Sequence, residues 1–124
     1  MAIMVEVIGL TKELIAEAKK GMVQLPGDPP QFVFQPKDRA GHWFLGAKIS
    51  SKEAKRLLGQ RASALQISTN DMIESARRGT AFMDSSTILL QPEGRGTSWF
   101  SCTTITREEA MRLLKEKARE IKNK

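Results

Sequence analysis

One stretch of this chain occurs twice. Residues 35–58 align without a gap with residues 91–114, at an offset of 56 positions, and 11 of the 24 aligned pairs are identical. Two unrelated stretches of this length would share roughly one or two residues, so the match indicates an internal repeat, which constrains the fold more than any local pattern. The identical pairs are Gln35/Gln91, Pro36/Pro92, Arg39/Arg95, Trp43/Trp99, Phe44/Phe100, Ile49/Ile105, Glu53/Glu109, Ala54/Ala110, Arg56/Arg112, Leu57/Leu113 and Leu58/Leu114.

The repeat extends upstream. Residues 11–21 align with residues 69–79 at an offset of 58, share Thr, Ile, Ala and Gly, and exchange Lys19-Lys20 for Arg77-Arg78. We therefore predict a tandem duplication of a unit of about 58 residues, at about 5–64 and 65–124. Because a unit this small buries too little surface to be stable alone, we expect the repeats to share a core, as pseudo-symmetric halves of one compact domain covering residues 1–124.

Each repeat is predicted to begin with a short helix. In the first repeat Thr11 is the candidate N-cap of a helix over residues 12–20, and Gly21 ends it. The preceding residues 1–8 alternate weakly between apolar and polar, which favours a short strand or an extended arm. In the second repeat Ser68 or Thr69 caps the corresponding helix over residues 70–78.

A hairpin and a longer helix follow in each repeat. The helices start behind Ser50 and Thr106, where Glu53 and Glu109 would complete capping boxes, and run to about residue 64 and to near the C-terminus. The pattern predicts an α+β fold of two α-(β)-β-β-α units related by a pseudo-twofold axis, with the hairpins in one antiparallel sheet and the helices on one face. The predicted strands are 31–35, 42–49, 87–91 and 98–104, with short edge strands at 22–25 and 80–83.

The α-β-β-β-α order resembles the layout of double-stranded-RNA-binding domains. The stretch Ser51-Lys52-Glu53-Ala54-Lys55, which opens the second helix, carries the resemblance. The second repeat departs from it, because Arg107-Glu108-Glu109-Ala110-Met111 lacks both lysines, and each repeat is short for that family. An order of elements does not by itself imply a function.

The chain is basic in both halves. Its net charge is +6 and its pI is near 9.8. Residues 1–62 contain 10 Lys/Arg and 6 Asp/Glu, a net charge of +4, and residues 63–124 contain 10 and 8, a net charge of +2. A basic surface favours an anionic partner, nucleic acid first, although it also serves solubility alone.

Four basic positions are retained in both repeats, as expected for a groove that follows a phosphate backbone. Arg39 and Arg95 occupy the two hairpin turns, where the turn geometry does not require arginine, so either a shared ion pair or a common ligand contact explains them. Lys52 and Lys55 add charge to the second helix. The candidate nucleic-acid-binding residues are Lys19, Lys20, Arg77, Arg78, Arg39, Arg95, Arg56, Arg112, Lys52, Lys55, Phe44 and Phe100.

The adjacent aromatic residues of each hairpin point to opposite faces of the strand. Trp43 shares its face with Leu45, so we expect Trp43 and Trp99 in the core. Phe44 and Phe100 are then the outward pair, available either to a second layer or partner, or as platforms for stacking single-stranded bases. The same reasoning leaves Val33 and Leu89 on the outward face.

Residues that would indicate catalysis or metal binding are few. The single histidine, His42, is replaced by Ser98 in the second repeat, and the single cysteine, Cys102, falls in a predicted strand as a small buried hydrophobe. Capping explains the repeated acids, Glu53 and Glu109. We therefore expect no enzymatic activity, no cofactor and no metal.

Two functions remain open. The leading hypothesis is a small nucleic-acid-binding protein, monomer or homodimer, that uses the hairpins and the basic helix faces. The alternative is a protein-binding module, a small inhibitor or adaptor that docks through an apolar sheet or helix face. We expect a cytoplasmic protein without a membrane partner, because the run 1–10 is too short to span a bilayer, contains Glu6 and lacks the features of a signal peptide.

Overall fold

The computed structural model describes residues 2–39, 41–92 and 95–122, with side chains from Glu6 onwards. The described residues form both α-helices and β-strands. No helix among them is long and apolar enough to cross a bilayer. The elements are α1 (Ala2–Lys20), β1 (Val23–Leu25), β2 (Gln31–Phe34), β3 (Trp43–Ile49), α2 (Ser51–Leu65), α3 (Thr69–Arg78), β4 (Ala81–Phe82), β5 (Thr87–Leu90), β6 (Trp99–Ile105) and α4 (Arg107–Lys122), with a 3₁₀ turn at Lys37–Arg39.

The six strands form one antiparallel sheet in the order β1-β2-β3-β6-β5-β4. The α+β prediction is therefore confirmed, and the short strands β1 and β4 lie at the two edges as predicted. Val23 pairs with Val33 in the first hairpin region, and Ala81 pairs with Leu89 in the second. The duplication and the pseudo-twofold relation remain predictions.

The chain divides into two compact units whose borders differ from those of the sequence repeats. Unit 1 comprises Met1–Leu45 and Ile105–Lys124, and unit 2 comprises Gly46–Thr104. Helix α4 therefore belongs with α1, β1 and β2, although it follows the second hairpin in sequence. Helix α2 follows the first hairpin but packs with α3 in unit 2. The prediction of a single domain stays a prediction.

Each unit has its own helix-covered core. The core of unit 1 joins α1 and α4 to the strands, and Leu14, Val33, Trp43 and Leu114 are among its buried residues. The core of unit 2 joins α2 and α3 to the strands in the same way, and its members are Ala54, Leu58, Ala62, Met72, Ala76, Ala81, Leu89 and Trp99. Trp43 and Trp99 are buried as predicted.

The N-terminal prediction was wrong. Residues 1–8 were expected as a strand or an arm, but α1 begins at Ala2. Val7 lies seven residues before Leu14 and is buried with it against α4, so tertiary packing outweighs the weak β pattern. Thr11 accordingly lies inside the helix instead of capping it, and its hydroxyl donates to the carbonyl oxygen of Val7 at 2.6 Å.

The other helix starts were predicted well. The hydroxyl oxygens of Ser50, Ser68 and Thr106 accept hydrogen bonds from the backbone N–H groups of Glu53, Asp71 and Glu109, each at 3.1 Å. These bonds satisfy donors that have no partner within the helix. Helices α1 and α3 also end where predicted, at Lys20 and at Arg78, although α1 is longer than predicted.

Asp84 organises the turn between β4 and β5, and this gives a pH prediction. Its Oδ1 accepts from the N–H groups of Ser86 and Thr87, both at 2.9 Å, and from the Ser86 hydroxyl at 3.2 Å. The Ser86 N–H bond is the main cause that holds the pKa of Asp84 below its ordinary value of 3.8.

Because the folded pKa is depressed, ionised Asp84 stabilises the fold at neutral pH, and the contribution is lost as the pH falls through the folded pKa. We expect Asp84→Asn to lower the free energy of unfolding at neutral pH and to match the parent protein in acid. Urea unfolding at a series of pH values measures this. A deficit that persists unchanged in acid would contradict the assignment.

Candidate nucleic-acid interface

The two hairpin turns fix their arginines by the same backbone bonds. The N–H of Arg39 donates to the carbonyl oxygen of Pro36 at 3.0 Å, and the carbonyl oxygen of Arg39 accepts from His42 at 3.0 Å. In the second turn Arg95 donates to Pro92 at 3.3 Å and accepts from Ser98 at 3.2 Å. Both arginines therefore occupy equivalent, fixed backbone positions. The predicted turn residues Glu93 and Gly94 lie outside the described residues.

A second backbone bond ties the C-terminal end of α1, and likewise that of α3, to the adjacent turn. The N–H of Gln35 donates to the carbonyl oxygen of Ala18 at 2.9 Å, and the N–H of Gln91 donates to that of Ala76 at 3.0 Å. The basic pair of each helix follows directly after the accepting alanine, and each turn follows directly after the donating glutamine. We call Lys19, Lys20 and Arg39 the first basic cluster, and Arg77, Arg78 and Arg95 the second basic cluster.

Most side chains of the two clusters are exposed. Lys19, Lys20, Arg78 and Arg95 are exposed, whereas Arg39 is half-buried. Arg78 pairs with Glu74 at 3.2 Å while keeping 81% of its side chain exposed. Long, exposed cationic side chains of this kind provide donors for an anion such as phosphate.

Arg77 is oriented by a residue that the sequence analysis did not assign. Its Nε donates to the side-chain Oε1 of Gln91 at 3.0 Å. This bond does not use the two terminal nitrogens of the guanidinium group, which are the donors that suit a phosphate. Gln91 thus holds the helix end by its backbone and Arg77 by its side chain. The identity of Gln35 and Gln91 across the repeats was the signal for this role.

Arg56 and Arg112 are engaged within their own helices. Arg56 forms a two-pronged ion pair with Glu53, with Nε at 3.0 Å from Oε2. Arg112 pairs with Glu109 in the same way and also with Glu116 at 2.7 Å.

These ion pairs change the charge available on the helices. Hydrogen bonding to the arginines lowers the pKa of Glu53 and of Glu109, so both acids remain ionised at neutral pH. It also raises the pKa of Arg56 and of Arg112. Each of these arginines therefore faces a carboxylate that a phosphate would have to displace, as Arg78 of the second basic cluster does with Glu74.

Lys52 and Lys55 are exposed on α2, which belongs to unit 2. They therefore share a unit with the second basic cluster and not with Arg39, which precedes them in the same repeat. The sequence grouped them with the first hairpin because order along the chain was the available guide. No contact of either lysine with an acidic residue is evident among the described side chains.

Of the two roles that the sequence left open for Phe44 and Phe100, the stacking platform was wrong. Each residue is only 2% exposed, so both are buried. Phe44 lies against Phe34, with ring centroids 6.0 Å apart. Val33 and Leu89 belong to the helix-covered cores with Trp43 and Trp99. Residues on both faces of the strands are therefore buried near the paired aromatics, which a period-two pattern alone does not reveal.

The histidine, the cysteine and the acidic groups are the residues to examine for catalytic or metal-binding chemistry. They contain no group of three or more His, Cys, Asp and Glu side chains placed to hold a metal ion. His42 is exposed beside its turn. Cys102 is buried, and desolvation raises the pKa of its thiol to about 12, so it stays protonated and weakly nucleophilic at neutral pH.

The side chains beside the edge strands β1 and β4 differ between the two units. In unit 2 the Nε of Arg61 donates to the carbonyl oxygen of Phe82 on β4 at 3.0 Å. The position equivalent to Arg61 in unit 1 is Lys117, which lines a shallow cleft of about 280 Å³ beside β1. The other lining residues are Gln24, Leu25, Pro26, Glu120 and Ile121, and none belongs to a basic cluster.

Comparisons with protein-family models, with curated proteins and with solved structures gave no match to this chain. The case for a function therefore rests on the side chains described above. The two basic clusters are the arrangement that occurs in both units with the same backbone support.

Proposed function

We propose that this chain is a small, non-enzymatic nucleic-acid-binding protein that contacts phosphates through its two basic clusters. The observation that carries the proposal is the backbone bond from Gln35 to Ala18 and its counterpart from Gln91 to Ala76. In each unit this bond joins a basic helix end to a hairpin turn that carries arginine. The net charge of +6 supports an anionic ligand of this kind.

We also propose that the chain arose by tandem duplication. Strands β2 and β5, strands β3 and β6, and the starts of α2 and α4 are each related by the same offset of 56 residues. The equivalent residues Leu58 and Leu114 are both fully buried, as are Ala54 and Ala110. If the chain arose in this way, the basic residues of the clusters have been retained in both repeats, which favours the same role for the two clusters.

A structural role offers a competing explanation for part of each cluster. Lys19-Lys20 and Arg77-Arg78 occupy the last turns of their helices, where positive charge interacts favourably with the carbonyl ends. That explanation does not extend to Arg39 and Arg95, which lie in turns and for which a shared ion pair is the structural alternative. The proposal accounts for all six positions with one ligand class.

The protein-binding alternative was to dock through an apolar sheet or helix face. Phe44 and Phe100, its candidate residues on the sheet, are buried and do not supply such a surface. Polar substitutions at these positions would disrupt packing and would not report on docking alone.

The test removes three positive charges at a time, either from a basic cluster or from another part of the surface, and measures nucleic-acid binding. We expect the triple substitutions Lys19→Gln/Lys20→Gln/Arg39→Gln and Arg77→Gln/Arg78→Gln/Arg95→Gln each to weaken nucleic-acid binding. Because each phosphate contact contributes about one unit to the dependence of log K on log salt, each triple variant should flatten that slope by up to about 3. Fluorescence anisotropy with labelled DNA and RNA at several salt concentrations measures both effects.

The matched control removes the same charge elsewhere. Lys115→Gln/Arg119→Gln/Lys122→Gln lies on the exposed face of α4 and lowers the formal net charge by the same three units. We expect this variant to retain most of the affinity and the slope. Equal losses for the control and the cluster variants would reduce the effect to overall charge and would refute the assigned site. Absence of binding by the unmodified protein at low salt would refute the function.

A further inference from the structure

We infer, resting on the proposed function, that the ligand is a duplex held by its phosphates and not a single strand held by its bases. Exposed aromatic rings are what a protein needs to stack single-stranded bases. The structure describes all seven aromatic residues of the chain. Six of them are buried: Phe32, Phe34, Trp43, Phe44, Trp99 and Phe100.

The seventh aromatic residue, Phe82, is half-buried on the edge strand β4. The carbonyl oxygen of Phe82 is held by Arg61, so the backbone of this residue is fixed within unit 2. The position of unit 1 that is equivalent to Phe82 is occupied by Gln24, which is not aromatic. Gln24 pairs with Phe32 on β1–β2 as Phe82 pairs with Ile88 on β4–β5. The two units therefore do not share a stacking platform, whereas they do share a basic cluster.

Proteins that bind single strands without sequence preference combine a basic groove with aromatic rings on which successive bases stack. This chain has two basic clusters that could contact phosphates. Six of its seven aromatic residues, however, are buried in the protein interior. A single strand bound here would gain phosphate contacts without the stacking that normally accompanies them.

The hydrogen-bond donors of the basic clusters are cationic, so they favour the nucleic acid with the higher density of phosphate charge. Lysine and arginine side chains are donors only, so the residues of the clusters suit an anionic ligand such as phosphate. A duplex presents about one negative charge per 1.7 Å of its axis, about twice the linear density of one strand. Since binding depends on phosphates alone, the duplex is the tighter ligand, with little dependence on base sequence.

The experiment compares labelled oligonucleotides of one length and one mixed sequence with the full-length protein: single-stranded DNA, duplex DNA, single-stranded RNA and duplex RNA. Each is titrated at several salt concentrations. We expect at least about a tenfold tighter binding of a duplex than of either of its strands, and a salt slope near 0.9 per contact for duplex DNA against about 0.7 for a single strand. A second duplex with a scrambled sequence should bind within about threefold of the first.

A variant separates stacking from phosphate binding. Phe82→Leu keeps an apolar side chain at the half-buried position but removes the ring. We expect its affinities for all four oligonucleotides to equal those of the parent protein. A selective loss of single-strand binding in this variant would overturn the inference.

The outcomes distinguish the two levels of the argument. Equal or tighter binding of single strands than of duplexes would overturn the duplex inference while leaving nucleic-acid binding intact. Absence of binding to every form at low salt would instead remove the proposed function. Tighter binding of the duplex supports the inference, and the DNA and RNA arms then identify which duplex is preferred.

Discussion

Replacing Gly46 with alanine is expected to lower the free energy of unfolding by at least about 3 kcal/mol, at the upper end of the range for overpacked cores. A Cβ atom at position 46 would lie 2.2 Å from the carbonyl oxygen of Ser101 and 2.5 Å from the Cα atom of Cys102. These atoms belong to the backbone of β6, which cannot rotate away as a side chain can. Urea unfolding followed by tryptophan fluorescence measures the change.

Two further variants test the cause of that loss. Gly59→Ala makes the same substitution within α2, where the nearest atom to the added Cβ is Thr69 Oγ1 at 3.8 Å. We expect this variant to be as stable as the parent or up to about 1 kcal/mol more stable, because alanine favours the helix. A Gly46→Ala variant that is no less stable than Gly59→Ala would contradict the predicted clash.

The Cys102→Ala substitution asks whether the thiol is the obstacle. The added Cβ at position 46 would also lie 2.4 Å from Cys102 Sγ. We expect Cys102→Ala not to rescue Gly46→Ala, because the contacts with Ser101 O and Cys102 Cα remain. Full rescue would show that the side chain alone excludes alanine.

The Gly46 result bears on the internal repeat. Positions 46 and 102 are equivalent at the offset of 56 residues, yet one carries glycine and the other a buried cysteine. In the alignment this is one of the mismatches. In the structure the two residues lie next to each other. Because Gly46 has no side chain, the Cys102 side chain can occupy the space beside it. In the proposed duplication, equivalent positions that meet in this way must differ, because only one of the two side chains fits.

Much of the secondary structure could be predicted because its signals are local. Turn residues, alternating apolar residues and N-caps at Ser50, Ser68 and Thr106 each act over a few positions. The N-terminal part of α1 was missed because its stability depends on Val7 packing against α4, about a hundred residues away along the chain. Local patterns do not contain such contacts.

The candidate site was predictable in part for the same reason. Repetition identified Arg39 and Arg95 and the basic pairs, but it could not show that backbone bonds join each pair to its turn. The ion pair of Arg56 with Glu53 spans three residues and could have been inferred from helical spacing. The burial of Phe44 and Phe100 depends on what covers both faces of the strands, which one strand's sequence does not specify.

The assignment of helices to units has a large, testable consequence. Leu58 lies in the first repeat, yet it is fully buried in the core of unit 2 with Leu89. Leu114 lies in the second repeat and is fully buried in the core of unit 1 with Val33. We expect Leu58→Ala and Leu114→Ala each to lower the free energy of unfolding by about 2–5 kcal/mol, because each leaves a cavity in a packed core.

Double-mutant cycles can establish which hairpin each helix covers. Combined with Leu89→Val, Leu58→Ala should show a coupling energy of about 0.5–3 kcal/mol, and the same range is expected for Leu114→Ala combined with Val33→Ala. The crossed combinations, Leu58 with Val33 and Leu114 with Leu89, should be additive within about 0.5 kcal/mol, because their members belong to different core clusters. If the crossed pairs were coupled and the others additive, each helix would pack on the hairpin of its own repeat. The first basic cluster would then share a unit with α2 and its lysines, Lys52 and Lys55.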